Sequence, residues 1–333
     1  MKALISVNPG DVSTLKMADL PDPTPGPGQV VVNVRACAVN YPDALTIEDR
    51  YQFRPPRPFA PGGEISGIID QVGSDVTQWV PGDRVIGLTT HGGMAEKILL
   101  GENSIVRLPE GRSFEDGAAF FFTYGTAIHA LKDRGRIKRG DRLLVLGAAG
   151  GIGLSGVELG KALGATVVAA VSSEAKAEAV RKAGADAVVI YPSGALDKDQ
   201  SKALADELKA AAGGEGFDIV YDPVGGDYSE PAIRAMAWGG RFLVIGFPAG
   251  IARIPLNLPL LKGCDICGVF WGKFRAENPA ANAAHFEELF ALWADGRIAP
   301  RVSETFPLER GGEAIARLAN RSAIGKIVVT ISG

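Results

Sequence analysis

Cysteine is scarce in this sequence, and long hydrophobic runs are missing. Three cysteines among 333 residues are too few for a disulfide framework, and such scarcity is typical of a reducing compartment. No apolar run reaches the roughly 18 residues that a membrane-spanning helix requires. The opening residues 1–7 look like a strand and lack the apolar core of a signal peptide. We therefore expect a cytoplasmic protein with no membrane partner.

An excess of positive charge is also missing. The chain has 35 lysine and arginine residues against 38 aspartate and glutamate residues, for a formal net charge of -3. Proteins that bind nucleic acids usually present a basic surface, so we expect no nucleic-acid partner. A hydrophobic content of 46% fits a globular protein. Because 333 residues exceed what one core usually contains, two domains are expected.

The two parts of the chain differ in their patterns. Before residue 121, short β-prone runs alternate with turns rich in glycine and proline, which is typical of a compact β-rich domain. From residue 121 onward, strand and helix patterns alternate, which predicts an α/β fold with a doubly wound parallel sheet. The strand candidates are residues 143–146, 166–171, 187–190, 218–221, 241–245 and 265–270. The helix candidates are residues 152–163, 175–183, 202–212 and 231–236.

The end of the sequence returns to the first pattern. A helix over residues 281–294 is followed by a strand over residues 325–331, and a strand after a completed sheet is expected to rejoin the first domain. We therefore predict one domain from residues 1–122 with 293–333, and a second, inserted domain from residues 123–292. Residues 265–271 predict an uncovered apolar edge strand, which favours a homodimer.

A loop of small residues follows the first strand of the inserted domain. On the dinucleotide fingerprint G-x-G-x-x-G, the three key positions are Ala148, Gly150 and Gly153, with alanine at the first. Small residues let the backbone approach a phosphate, and the helix that follows offers its positive dipole end. The sequence therefore predicts a pyrophosphate site formed by Ala148, Gly150, Gly151, Ile152 and Gly153.

The residues after the second strand favour NADPH as the cofactor. An NAD site often has Asp or Glu there, whereas this chain has Ser172 and Ser173, which accept a 2′-phosphate without charge repulsion. Lys176, or alternatively Arg181, supplies a positive charge. For Lys176, a solvated helix lysine is an equally open interpretation. Glu174 is expected in the first helical turn behind Ser173 as the N-cap. Tyr191, after the third strand, either lies near the adenosine or packs locally.

Six motifs occur in a fixed order along the chain: Asn40-Tyr-Pro-Asp43, Pro61-Gly-Gly-Glu-Ile-Ser-Gly67, Val80-Pro-Gly-Asp-Arg-Val85, Gly92-Gly-Met-Ala-Glu96, Ala148-Ala-Gly-Gly-Ile-Gly153 and Gly325-Lys-Ile327. This ordered set resembles the medium-chain dehydrogenase/reductase superfamily, and within it the zinc-independent quinone oxidoreductase (ζ-crystallin-like) and enoyl reductase branch. The resemblance covers essentially the whole chain. It implies a Rossmann doubly wound parallel sheet inserted into a β-rich GroES-like catalytic domain.

The chain departs from the zinc alcohol dehydrogenases of the same superfamily. Where the resemblance places their zinc ligands, this sequence has Asn40, Gly63 and Phe122. Glycine and phenylalanine cannot bind Zn²⁺, and asparagine is a poor ligand for it. The resemblance therefore implies no metal, and a small-molecule acceptor that conjugation already activates: a quinone, an enone or an enoyl thioester.

The resemblance also implies roles for single residues. Tyr51 follows Asn40 at the same offset as a tyrosine that donates or orients the proton in enoyl thioester reductases. The alternative is that Tyr51 packs locally or lines the substrate site. Asn40 orients the backbone or the nicotinamide ribose region. Thr126 is expected at the nicotinamide face, and Phe247 and Phe270, at strand ends, are expected to line the same cleft. Lys326 is expected near the cofactor phosphates, with an exposed lysine before the last strand as the alternative.

The sequence thus predicts an NADPH-dependent enzyme that transfers hydride to a quinone or an activated alkene. The alternative from another class is a non-catalytic NADPH-binding protein, either crystallin-like or RNA-associated. The acidic balance of the chain disfavours the RNA-associated version.

Overall fold

The computed structural model describes residues 1–320 and 323–332. By its internal contacts the chain divides into two compact units. Unit 1 is formed by residues 1–122 and the residues from 300 onward, and unit 2 by residues 123–299.

The strands are numbered along the chain. They are β1 (Lys2–Ser6), β2 (Leu15–Asp19), β3 (Gln29–Ala38), β4 (Glu64–Val72), β5 (Arg84–Leu88), β6 (Lys97–Gly101), β7 (Ile105–Arg107), β8 (Arg142–Val145), β9 (Thr166–Val171), β10 (Ala187–Ile190), β11 (Phe217–Asp222), β12 (Met236–Val244), β13 (Asp265–Gly268), β14 (Val302–Pro307) and β15 (Lys326–Thr330).

The α-helices are shorter on average in unit 1 than in unit 2. They are α1 (Tyr41–Ile47), α2 (Phe114–Ala118), α3 (Phe121–Ile128), α4 (Gly151–Ala162), α5 (Glu174–Lys182), α6 (Lys198–Ala211), α7 (Ser229–Arg234), α8 (Asn257–Lys262), α9 (Trp271–Glu277), α10 (Pro279–Ala294) and α11 (Gly311–Ala319). A π-helical turn, His129–Arg134, follows α3. None of the described helices is long and apolar enough to cross a bilayer.

Unit 1 is rich in antiparallel strands. Its larger sheet has the order β14-β15-β3-β4-β5-β7, with β6 paired to β3, and β1 pairs with β2 in a smaller sheet. The core contains Val32, Ile65, Val85 and Ile327 from four neighbouring strands. The final strand belongs to this sheet, because β15 pairs antiparallel with β3 and parallel with β14.

Unit 2 contains the predicted parallel sheet. Its order is β10-β9-β8-β11-β12-β13, and all neighbouring pairs are parallel. This is the strand order of a dinucleotide-binding Rossmann fold, with the topological switch point between β8 and β11. Leu144, Val168 and Val220 on the central strands are buried with Leu204 and Leu208 of α6, as expected for strands covered on both faces.

The second boundary between the units lies later than the predicted position between residues 292 and 293. That position falls inside α10, which continues to Ala294 and buries Trp293. Beyond the helix, Ile298 is also buried, and the Ala299 N–H donates to Glu158 at 3.0 Å. These contacts attach residues 293–299 to unit 2.

Candidate functional site

The glycine-rich loop of unit 2 leads from β8 into α4. The Gly150 N–H donates to the Gly147 carbonyl at 3.1 Å, which closes the turn. Gly147 has a φ of 55°, the left-handed region that favours glycine. A Cβ at Gly153 would lie 2.3 Å from the Gly147 oxygen. The helix therefore begins in direct contact with the loop, which only glycine permits.

The first turn of α4 is open to an anion. The N-cap is Gly150, and no side chain caps this 12-residue helix. Ala148 is fully buried and its N–H donates to Ala170 at 3.1 Å, so the loop is tied to β9. Gly151 and Ile152, in the first turn, are partly exposed. An uncapped turn with its positive dipole end fits the pyrophosphate of a dinucleotide.

Ser172, Ser173 and Lys176 lie together at the end of β9. The Lys176 ammonium donates to the Ser172 hydroxyl at 3.1 Å, which places a cation and a hydroxyl side by side. The predicted N-cap is confirmed, since the Ser173 hydroxyl accepts the Lys176 N–H at 3.4 Å. Glu174 occupies the first helical turn and pairs with Arg181 at 2.6 Å, so its charge is engaged within α5.

The aromatic candidates of unit 2 differ in exposure. Tyr191 is buried, and its ring lies 4.7 Å from the ring of Tyr228, a packing arrangement. Phe247, after β12, and Phe270, after β13, are 48% and 55% exposed. Thr126 is buried in α3.

A buried ion pair stands at the centre of the polar cluster in unit 1. The Lys326 ammonium lies 3.0 Å from a carboxylate oxygen of Glu64 and donates to Asn40 Oδ1 at 2.7 Å and to the Val39 carbonyl at 3.4 Å. Lys326 is 5% exposed and Glu64 is 0% exposed. Lys326 is thus not the exposed lysine of one expectation. To bind the cofactor phosphates, the Lys326 ammonium would first have to break one of its three hydrogen bonds.

Both the backbone and the side chain of Asn40 form hydrogen bonds within unit 1. Its amide nitrogen donates to Glu64 at 2.9 Å, and its backbone N–H donates to Asp43 at 2.7 Å. The same Asp43 carboxylate also accepts the Gly62 N–H at 3.2 Å. Burial raises the pKa of Asp43 to about 6, against the opposing hydrogen bond from Asn40. The Asn40 side chain is therefore fixed in unit 1.

Tyr51 is half-buried, four residues beyond the end of α1. Burial raises the pKa of its phenol, and the negative charge of Asp43 adds to the effect. Both causes keep the hydroxyl protonated at neutral pH, as a hydrogen-bond or proton donor must be.

Two buried acids at strand ends were not predicted as site residues. Glu64 opens the apolar strand β4 and Asp222 closes the apolar strand β11. A single acid at the end of such a strand is the sequence signal that would have identified each, since an unpaired charge is costly to bury.

The polar cluster does not fit a catalytic zinc ion. One Glu64 oxygen accepts the Phe122 N–H at 2.7 Å, and the other accepts from Asn40 and Lys326. The positive charge of the Lys326 ammonium beside the Glu64 carboxylate opposes the binding of a metal cation there. Among the described residues, no group of three histidine, cysteine, aspartate or glutamate side chains is arranged to hold a metal ion.

The sequence and the fold match known oxidoreductases. Residues 26–110 match the alcohol dehydrogenase GroES-like domain, and residues 151–287 match the zinc-binding dehydrogenase domain. The rat protein named quinone oxidoreductase-like protein 2 is 35% identical over 308 residues, which cover 92% of this chain and 86% of the relative.

Solved structures of this fold include reductases. The quinone oxidoreductase of Escherichia coli complexed with NADPH has a TM-score of 0.88 at 26% identity, covering 99% of this chain and 100% of that one. The CurK enoyl reductase has a TM-score of 0.87 at 25% identity and 99% coverage of both chains. The chain therefore belongs to the quinone oxidoreductase branch of the medium-chain dehydrogenase/reductase superfamily.

Proposed function

We propose that this protein is a zinc-independent reductase that binds NADPH and reduces a quinone or the C=C bond of an α,β-unsaturated carbonyl or enoyl thioester. The observation that carries the proposal is the uncapped first turn of α4 behind the Ala148–Gly153 loop. The Ser172–Lys176 pair at 3.1 Å supports a 2′-phosphate, and hence NADPH over NADH. The NADPH-bound neighbour of the same fold supports the same cofactor.

The bound cofactor would supply a hydride to the acceptor. Hydride addition to an activated alkene leaves negative charge on the carbonyl oxygen, and the product carbon then needs a proton. The Tyr51 phenol, which its raised pKa keeps protonated, donates a hydrogen bond to that charge. It then gives its proton to the product carbon and takes another from water. Asn40 and Asp43 fix the start of α1, the helix that precedes Tyr51. The donors that occupy the Glu64 oxygens disfavour a Lewis-acid metal there, which supports an acceptor that conjugation already activates.

A panel of acceptors tests this proposal. NADPH oxidation is followed with quinones, enones and enoyl-CoA thioesters, and each assay is repeated with NADH. Turnover of at least one class with a preference for NADPH is expected, and Lys176→Ala should narrow that preference. If NADPH binds tightly and no acceptor is reduced, the non-catalytic alternative replaces the proposal.

Tyr51→Phe separates the two acceptor classes. We expect kcat on enoyl thioesters to fall by about 100-fold, the usual contribution of a positioned proton donor. Quinone reduction should change little, because a hydroquinone takes its protons from water. Tyr41→Phe is the matched control. Unchanged turnover on enoyl thioesters would remove Tyr51 from the mechanism.

We also propose that the protein forms a homodimer through the edge of the unit 2 sheet. β13 ends the strand order, and Ile266 on this strand is 43% exposed. Nearby in sequence, Leu260 and Leu261 of α8 are 75% and 63% exposed. A lysine on an edge strand opposes pairing. Ile266→Lys should therefore give a monomer by light scattering, whereas Leu99→Lys on β6 should not. A monomeric wild type at micromolar concentration contradicts this proposal.

A further inference from the structure

Asp222 ends β11 with a buried carboxylate that has no role in the proposed reaction. It is 3% exposed. One oxygen accepts the N–H groups of Val224 and Gly225, both at 2.8 Å, and the other accepts the Ser229 hydroxyl at 2.6 Å. Burial raises the pKa of Asp222, and these three donors oppose the shift. The carboxylate thus stabilises a tight turn of the chain directly after β11.

The turn that Asp222 holds is bonded to the loop after β12. Gly225 has a φ of 71°, and a Cβ there would lie 2.5 Å from the Gly250 oxygen. The Gly226 N–H donates to that same oxygen at 2.7 Å, and the Ala249 N–H donates to Val224 at 2.9 Å. The two loops therefore form one hydrogen-bonded layer.

The same segment also fixes the loop after β10. The Asp227 carboxylate accepts the Leu196 N–H at 3.2 Å. The Tyr228 hydroxyl donates to the carbonyls of Pro192 and Gly194 at 3.0 and 2.8 Å. Two consecutive residues thus hold the chain that follows Tyr191.

Val224 connects this layer to the glycine-rich loop. A Cβ added to Gly147 would lie 2.5 Å from a methyl group of Val224, so the valine side chain covers Gly147 directly. Gly147 is the residue whose carbonyl closes the turn before α4. Residues 222–228 therefore join the loops that follow β8, β10, β11 and β12. In an open parallel sheet, ligands bind beyond these carboxyl ends.

We propose that Asp222 is a positioning residue for the dinucleotide, which acts through Val224 on the loop at Gly147. This inference rests on the proposed binding of NADPH. The Asp222 carboxylate accepts hydrogen bonds from its own turn and from Ser229. Its proposed contribution to cofactor affinity is therefore the shape of the glycine-rich loop.

The test compares Asp222→Ala with Val224→Ala and with Asp206→Asn, a surface control on α6. The dissociation constant of NADPH is measured by its fluorescence. We expect it to rise by about 10- to 100-fold in Asp222→Ala and less in Val224→Ala, as small misplacements of binding groups do. The KM for NADPH should rise, while kcat at saturating NADPH changes little.

Hydrogen exchange in the cofactor-free protein gives a second measurement. Amides of residues 146–150 and 224–226 should exchange faster in both variants, while those of α5 and α6 do not. A folded Asp222→Ala protein that binds NADPH as tightly as the wild type overturns the inference, regardless of how fast its amides exchange. If Asp222→Ala does not fold, Val224→Ala decides in the same way. A wild type that binds no NADPH refutes the proposed function instead, and exchange still reports whether Asp222 shapes the loop.

Discussion

Gly153→Ala is expected to weaken NADPH binding by at least about 100-fold, the scale of a misplaced binding group. The added Cβ would meet the Gly147 oxygen at 2.3 Å and the Ala148 Cα at 2.6 Å. Both are backbone atoms, so the loop and the start of α4 must move apart. The measurement is a titration of NADPH fluorescence, beside a thermal unfolding curve that checks the fold.

Two glycine controls sharpen this prediction. At Gly150 the nearest atom to an added Cβ is 3.6 Å away, so Gly150→Ala fits the protein without strain. Gly150→Ala should keep the stability of the wild type but bind NADPH more weakly, because the added methyl group occupies the proposed pyrophosphate site. Gly101→Ala in unit 1, with its nearest atom at 3.9 Å, should change neither quantity. Wild-type affinity in Gly153→Ala would show that the cofactor does not use this loop.

Lys326→Met should destabilise unit 1 by about 3–5 kcal/mol, the cost of removing one partner from a buried ion pair. Glu64 is 0% exposed and would lose the cation that lies 3.0 Å from its carboxylate. Trp79 is the only tryptophan in residues 1–122 and 300–333. A chemical denaturation curve that follows fluorescence, with the other tryptophans replaced by phenylalanine in every variant, therefore reports on this unit.

The matched variants separate lost charge from lost packing. The double variant Lys326→Met with Glu64→Gln removes both charges of the pair and should recover much of the lost free energy. Lys182→Met breaks an exposed pair with Glu178 at 2.5 Å in unit 2 and should change stability little. Equal losses in the single and double variants would mean that the ion pair contributes no electrostatic stability.

The sheet of unit 2 could be predicted from the sequence because its strands contain short apolar runs. β9, with the sequence TVVAAV, is buried at every position after the first. Such runs carry their own signal, since both faces of a parallel sheet are covered by helices. β12 starts at Met236, earlier than predicted, because Met236 pairs with Phe217 before the register shifts. That pairing leaves no mark in the local sequence.

The polar contacts of the candidate site were less predictable. The serine cap of α5 was readable because cap and helix are adjacent in sequence. Lys326 instead finds Asn40 and Glu64 across separations of 286 and 262 residues. A lysine before an apolar strand has the same sequence pattern whether it is exposed or buried, so only the three-dimensional pairing reveals its partners.

The pairing of β15 with β3 has a consequence for synthesis on the ribosome. Residues 123–299 form unit 2 from one continuous segment, which can close as soon as it emerges. Unit 1 begins earlier but must wait for β14 and β15. Until residue 326 has left the exit tunnel, Glu64 cannot pair with the ammonium of Lys326. The part of the protein that is translated first is therefore the part that folds last.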